Sequence, residues 1–510
     1  MRPRRTIPSI EKLPTGIPGF DLIARGGLSK GRTTLVAGTA GSGKTMFATQ
    51  FLVEGIRADE QRREPGVFVT FEEPPDDICQ NVASMGWDIP AWEADGRWLF
   101  VDASPHPGDE ADVVGSYDLG ALMARIEHAV RQLGASRVSL DSLGAVFTRF
   151  PDGGIIRREL HRLVSGLKEL GVTTVLTAER SDEEGEIARY RVEEFVADNV
   201  VILRNTLEQE KRRRTIEILK FRGTDHQKGE FPFTVLADQG IVVIPLSAIE
   251  LKQKSSDVRI TSGNTQLDAI CGGGFFRDSV ILVSGATGTG KTLLSTEFVD
   301  GGVGRGERCL LLGFEESREQ LFRNAIGWGR DFAHMEQAGL LRVVCEYPES
   351  AGLEDHLLRI KAEIEAFRPG RVAIDSLSAL ERVSTPKSFR EFIIGLTSYI
   401  KEGEIAGLFT ATTPTLLGGA SVTEGHISTI TDSIILLRYV ELYGQMRRGL
   451  TVLKMRGSSH DKEIREFTID DRGLHIGKPF RNVTGILAGN PRQATPGELE
   501  RIEKLFPEGL

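Results

Sequence analysis

Two stretches of this 510-residue sequence set a lysine behind glycines at a spacing suited to gripping phosphate: GTAGSGKT from Gly38 and GATGTGKT from Gly285. Both satisfy GxxxxGK[ST], and each follows a β-branched run and precedes a helical pattern, the context a phosphate loop requires. Glycines let consecutive backbone N–H groups turn inward around an anion, and the helix N-terminus adds a favourable dipole. The spacing predicts that Gly41, Ser42, Gly43, Lys44 and Thr45, and Thr287, Gly288, Thr289, Gly290, Lys291 and Thr292, bind a nucleotide. Lys44 and Lys291 would reach the β/γ-phosphates, with Thr45 and Thr292 ligating Mg2+.

Carboxylates stand where such loops would use them. Asp141 and Asp375 close the apolar runs RVSLD and RVAID. A carboxylate at the C-terminal end of a parallel strand is suited to hold a metal's water shell; the same place also suits a helix N-cap. The pairs Glu72-Glu73 and Glu315-Glu316 follow another β run. Adjacent carboxylates repel, which raises one pKa and helps it accept a proton from water or a hydroxyl. The plainer reading is acids that complement a helix dipole ahead of Pro74 and Pro75. KFRG from Lys220 and KMRG from Lys454 end edge-strand patterns. Lys220, Arg222, Lys454 and Arg456 would then serve a neighbour's γ-phosphate, as an arginine finger in trans does, or be solvated strand ends. Lys211 to Arg214 form a small basic footprint in an acidic protein.

The elements that must position these groups occur twice. LPTGIPGFDLIARGGLSKGRTTLVAGTAGSGKT from Leu13 matches ITSGNTQLDAICGGGFFRDSVILVSGATGTGKT from Ile260, VFVTFEEP matches LLLGFEES, RVSLDSLGAV matches RVAIDSLSAL, and LKFRG matches LKMRG, in the same order. A duplicated lobe is the simplest account: residues 1–246 and 247–480, joined by a polar segment at 245–260, with a tail at 481–510 whose Leu499, Ile502 and Leu505 suggest a short amphipathic helix. Short β-branched runs alternating with helical patterns (45–57, 76–85, 155–170) imply right-handed crossovers and a mostly parallel sheet covered on both faces, a three-layer α/β lobe. Beyond Asp198, strand follows strand, which suggests antiparallel strands added at one edge.

Composition fits a folded protein of two to four domains at roughly 100 to 200 residues each. A net charge of -9 argues against a chain whose main business is coating DNA. Cys79, Cys271, Cys309 and Cys345 are scattered without CxxC spacing, so they read as reduced core thiols of a cytoplasmic protein. No run approaches 18 apolar residues and no apolar h-region follows the basic start, which predicts a soluble, unexported chain with no membrane partner.

The motifs GTAGSGKT, GATGTGKT, the Glu-Glu pairs, RVAIDSLSAL, YPESAGLEDH, LKMRGS and HISTITDSIILL together resemble the KaiC family of circadian clock ATPases and autokinases, over nearly all of residues 10–490. The resemblance implies two tandem RecA-like P-loop NTPase lobes, with a mostly parallel sheet and antiparallel edge strands in each. It implies a two-tiered homohexameric ring with ATP and Mg2+ between subunits. It further implies slow ATP hydrolysis in the first lobe, and autophosphorylation and dephosphorylation in the second. Aligned on LK(F/M)RG, Glu194 and Phe195 stand opposite Ser428 and Thr429, so only the second lobe offers adjacent hydroxyls. By resemblance these are the phosphoacceptors, with Glu315 as general base beside the metal and Thr423 as a relay hydroxyl; from the residues alone, an ST-turn or strand start remains open. The family's nucleotide contacts carry over onto Ser84, Lys220, Arg222, Thr224, His226 and Asp238 in the first lobe. In the second they fall on Trp328, Arg448, Lys454, Arg456, Ser458, His460 and Lys462. The family's RGSWH reads RGSSH here, so Ser459 offers no aromatic stacking. Partners implied are a KaiB-type protein on the first lobe and a sensor histidine kinase for output. The tail matches the family's regulatory loop only at GILAGNP, which gives a KaiA-type activator a weaker basis. The competing readings are a RecA-like DNA-dependent ATPase or repair motor, and a nucleotide-gated scaffold without turnover.

Overall fold

The computed structural model describes residues 10–58, 63–104, 119–144, 153–183, 196–208, 211–245, 255–413, 427–481, 483–487, 489, 491–493 and 497. The chain divides into two compact units, Met1–Ala248 and Ile249–Leu510.

In the first unit the order is β1 (Thr33–Gly38), α1 (Lys44–Arg57), β2 (Gly66–Thr70), α2 (Pro75–Ala83), β3 (Trp98–Asp102), α3 (Leu119–Leu133), β4 (Arg137–Asp141), α4 (Gly153–Glu169), β5 (Thr173–Glu179), β6 (Asn199–Glu208), β7 (Lys211–Phe221), β8 (Glu230–Leu236) and β9 (Gly240–Val243). They build a nine-stranded sheet in the order β9-β8-β7-β6-β1-β5-β4-β2-β3. β1 is wholly buried because α1 covers one face and the α3–α4 layer lies on the other, which is why TTLVAG reads as a continuous run rather than an alternation. Pro75 opens α2, where its missing N–H costs nothing.

The second unit repeats the plan: β10 (Val280–Gly285), α5 (Lys291–Val303), β11 (Cys309–Gly313), α6 (Arg318–Gly327), β12 (Leu341–Cys345), α7 (Leu353–Phe367), β13 (Arg371–Asp375), α8 (Pro386–Glu402), β14 (Ala406–Thr412), α9 (Ile427–Ile430), β15 (Ser433–Leu442), β16 (Gln445–Met455), β17 (Arg465–Asp470) and β18 (Gly473–Pro479). Its sheet order is β12-β11-β13-β14-β10-β15-β16-β17-β18. Ser317 and Gln320 form a capping box that starts α6, and Thr385 caps α8 ahead of Pro386.

Two details differ from the sequence reading. The strand after Asp198 is not antiparallel: β6 runs parallel to β1, as β15 does to β10, and the antiparallel set begins one strand later. β7 and β16 are not edge strands either, since β8 and β17 pair outside them. Their hydrophobic alternation comes from facing α1 and α5 on one side only. The segment at 246–254, Thr423, Glu194, Phe195 and the pattern at 499–505 lie outside the described residues. Among the described residues no helix is long and apolar enough to cross a membrane. All four cysteines are free thiols, and burial pushes Cys271 and Cys309 up to about 12.

Candidate functional site

Each phosphate loop joins the C-terminal end of a central strand to a helix. Gly43 and Gly290 cap α1 and α5 with φ of 97° and 109°, a left-handed backbone that favours glycine. A Cβ on Gly38 or Gly285 would meet the carbonyl of Leu203 or Leu437 at 2.6 Å, so the loop lies tight on β6 or β15. Lys44 donates to the Thr39 carbonyl at 2.9 Å, and Lys291 to those of Gly285 and Ala286 at 2.9 and 3.0 Å. Burial lowers both lysine pKa values, while Asp141 and Asp375 respectively pull them back up. A buried ammonium on carbonyls of its own loop is a charge an incoming phosphate would complete.

Asp141 and Asp375 end β4 and β13 and accept from the hydroxyls of Thr177 and Thr410. Burial raises the Asp375 carboxyl, against the hydrogen bonds from Thr292 and Thr410 and the charge of Lys291. Thr292 and Asp375 therefore meet. Among the described residues no three His, Cys, Asp or Glu side chains gather as a metal cluster. The oxygens of Thr45, Asp141, Thr292, Asp375 and Glu315 are hard donors that suit Mg2+ held jointly with phosphate rather than in a protein cage.

The glutamate pairs divide their contacts. Glu72 accepts from Ser142 Oγ at 3.1 Å and Glu315 from Arg382 at 3.0 Å. Glu73 and Glu316 take amide donors from Asn81 and Asn324 at 3.3 and 2.9 Å. Burial, followed by the nearby Asp141 or Asp375, raises the carboxyls of Glu73 and Glu316. At this end of the first lobe Ser84 caps α2 and accepts from Asp238 N at 3.5 Å. In the second, Trp328 caps α6 and Arg448 lies over the Tyr439 ring at 5.8 Å.

The remaining candidates sit at the other end of each sheet. Gly285 pairs with Leu437, whereas Ser433 pairs with Ile281, four residues earlier. That is about 13 Å along the strand at 3.3 Å per residue, and α9 lies beyond it. α9 carries Ser428, half-buried, and Thr429, exposed. Lys454 donates to the Ser428 and Thr431 carbonyls at 2.7 and 2.6 Å, and Arg456 to the Thr429 carbonyl at 2.8 Å. Asp432 bonds Lys401 at 2.7 Å and Val280 N at 2.9 Å, and Arg456 is 3.6 Å away. Ser458 accepts from Arg259 at 2.6 Å, His460 is half-buried and Lys462 is exposed. In the first lobe Lys220 donates to the Ala197 carbonyl at 2.8 Å, Arg222 is 3.9 Å from Asp198, Thr224 accepts from Lys12 at 3.0 Å and His226 packs edge-on to Phe221. Lys220, Arg222, Thr224 and His226, like Lys454 to Lys462, are thus brought together with one another and kept apart from the phosphate loop of their own lobe.

Sequence reasoning missed Arg382, Lys401, Asp432 and Asn205. Asp432 carried a signal in the repeat, because Asp198 holds the same place. The others left none, since strand register and helix facing decide their contacts. The basic run at 211–214 is used internally: Arg212 donates to the Asn205 carbonyl at 2.8 Å and Arg214 to that of Gly41 at 3.3 Å.

Residues 13–248 and 260–480 each match the family described as "ATPase: KaiC". The chain is 70% identical to circadian clock protein KaiC3 of Synechocystis sp., over 98% of both chains. It is 55% identical to the circadian clock oscillator protein KaiC of Thermostichus vulcanus, over 97% of this chain and 95% of that one. It is also 55% identical to that of Synechococcus elongatus, over 98% and 95%.

Proposed function

The chain belongs to the KaiC family of ATPases, and from that premise we propose that it is a timing ATPase that also phosphorylates and dephosphorylates itself on Ser428 and Thr429. The observation that carries this reading is the separation of each lobe's candidates to two ends of one sheet. Acceptor hydroxyls beyond the N-terminal end of β15 cannot meet a triphosphate held at the C-terminal end of β10 in the same copy. A neighbouring copy can bring the two ends together. A closed ring of six, with nucleotide at each boundary, is the assembly proposed.

In that boundary Lys291 and the loop N–H groups hold the triphosphate. The oxygens of Thr292 and Asp375, with Glu315, would hold Mg2+, which would supply charge neutralisation to the phosphates. The Ser428 or Thr429 oxygen attacks the γ-phosphorus, its proton passes to the Glu315 carboxylate, and the bond to ADP breaks with the electron pair leaving on the β-phosphate oxygen. In the first lobe the same parts act on water, with Glu72 and Glu73 beside Asp141. A phosphate on α9 adds about -1.5 to -2 charge beside Arg456 and Lys454 and alters packing there. A KaiB-type protein and a sensor histidine kinase are the proposed partners; a KaiA-type activator has less support from the tail.

Incubation with ATP and Mg2+ followed by intact-mass measurement tests this. One or two added phosphates are expected, and none in the Ser428→Ala/Thr429→Ala chain. An unmodified wild-type chain that still hydrolyses ATP leaves only the family's ATPase activity; hydrolysis that rises with DNA and falls steeply with salt favours a DNA motor instead.

A further inference from the structure

The phosphate loop of the first lobe is tied to a carboxylate through a threonine hydroxyl that its counterpart lacks, since Ala286 stands at the Thr39 place. Glu183 lies four residues beyond the end of β5. Its Oε1 accepts from the Thr39 hydroxyl and, at 3.1 Å, from the backbone N–H of Asn205 on β6. Asn205 donates its amide to the Gly41 carbonyl at 3.4 Å, where Arg214 also donates at 3.3 Å. Two residues just ahead of Lys44 are thus fastened to β6, β7 and the Glu183 carboxylate. The second Glu183 oxygen is buried and makes no hydrogen bond among the described residues. Thr39, Glu179, Glu183, Asn205 and Arg212 line a cavity of about 530 Å³ beside the loop.

In the second lobe Ala286 occupies the Thr39 place and Tyr439 the Asn205 place, two residues beyond the strand partners of Gly285 and Gly38. Ala286 has no hydroxyl and Tyr439 no amide, although the Tyr439 hydroxyl lies beside Gly288 and Arg448 holds the Arg214 place, so what the second lobe lacks is the Thr39–Glu183 link. The charges differ as well: Asp141, Glu179, Glu72 and Glu183 all act on Lys44, whereas Asp375 and Glu315 act on Lys291.

We infer that Glu183 is a positioning residue of the first lobe's ATP site, whose carboxylate braces the loop through Thr39 and Asn205 and opposes the entry of a triphosphate. The brace and the opposition come from one group, so nucleotide loading of the first lobe is set by a charge that the second lobe does not share through its loop. The inference rests on the reading that the first loop binds ATP.

The test is calorimetric titration of the full chain with Mg2+-ATP at low and high salt, with Lys291→Ala silencing the second lobe. Glu183→Gln keeps the Oε1 acceptor and removes the charge. It is expected to tighten the first-lobe Kd about three- to tenfold at low salt, and by less at high salt, where like-charge repulsion is screened. In steady-state hydrolysis the change should fall on KM more than on kcat. An unchanged or weaker Kd, or a gain insensitive to salt, overturns the inference, because a purely structural brace is indifferent to the charge. A second measurement leaves position 183 intact. ATP affinity of the Lys291→Ala chain should fall less with added salt than that of the Lys44→Ala chain; equal slopes overturn the inference. A Lys291→Ala chain that binds no ATP at all overturns the prior reading of the first loop, a result distinct from either.

Discussion

At the scale of single residues, the two carboxylates of each Glu-Glu pair make different contacts although the sequence writes them alike. Glu315 faces the Arg382 guanidinium, while Glu316 is held by Asn324 in a more buried place that raises its pKa, with Asp375 adding to the rise. A base in contact with substrate and a neighbour that only shapes the field should respond differently to loss of charge. Glu315→Gln is expected to lower phosphate incorporation by about 10²–10⁴, the range for removing a general base. Glu316→Gln should cost about tenfold or less and change the pH profile instead. The sign follows from the raised pKa: below it Glu316 is neutral, above it charged, so wild-type activity should carry an acid limb above the usual carboxylate range of about 4.3. That limb should flatten in Glu316→Gln. Rates of phosphate incorporation across pH for both variants check the assignment, and an equal loss with parallel profiles would count against it. That an acid of each pair would stand near the loop lysine was legible from their repeat in the two lobes. Which one meets a guanidinium was not, because Arg382 lies far along the chain and reaches Glu315 only through the helix that follows β13.

At the scale of elements, α9 is a four-residue helix too short to hold itself. Its C-terminal carbonyls would be orphaned without outside donors, and Lys454 of β16 and Arg456 just beyond it supply them. The sequence leaves two places open for these cations, a neighbour's γ-phosphate or a solvated strand end. In the fold their donors are turned onto α9 and the residue after it in their own chain, so their first effect is to orient that segment. Lys454→Met keeps the aliphatic stem and removes the donors. It should cost about 1–3 kcal/mol, as the loss of charged hydrogen bonds to a helix end does. Amide exchange should accelerate over 427–431, and phosphate incorporation should fall about tenfold, by the loss of a positioned nucleophile. ATP binding at Lys291 should stay intact, since the loop lies at the other end of β10. Equal protection of 427–431 in both chains would show that α9 is held by something else. The strands and helices themselves were readable, because buried parallel strands write continuous apolar runs. The end of the sheet at which a residue lies was not, since it depends on strand direction, which a hydrophobic pattern does not encode.

At the scale of the whole molecule, duplication gives each copy two grips and two sets of remote cations, and each grip is separated from the groups meant to complete it. If nucleotide is held at a boundary between copies, as proposed, the contact is head-to-tail, with the loop end of one copy meeting the α9 end of the next. Contacts of that kind close into rings or run on as filaments; a ring leaves no unfinished site. Complementation tests the direction of transfer without any assumption about ring size. A Lys291→Ala chain keeps Ser428 and Thr429 but has lost its grip on triphosphate, and a Ser428→Ala/Thr429→Ala chain keeps the grip but has no acceptor. Alone, neither should gain phosphate. Mixed and allowed to exchange subunits, the Lys291→Ala chain should be the one that gains it, as intact-mass measurement would show because the two chains differ in mass. Transfer within a copy predicts silence in the mixture, because no single chain then holds both donor and acceptor. Dilution separates the cases again: transfer between copies slows as the assembly comes apart, whereas transfer within one does not.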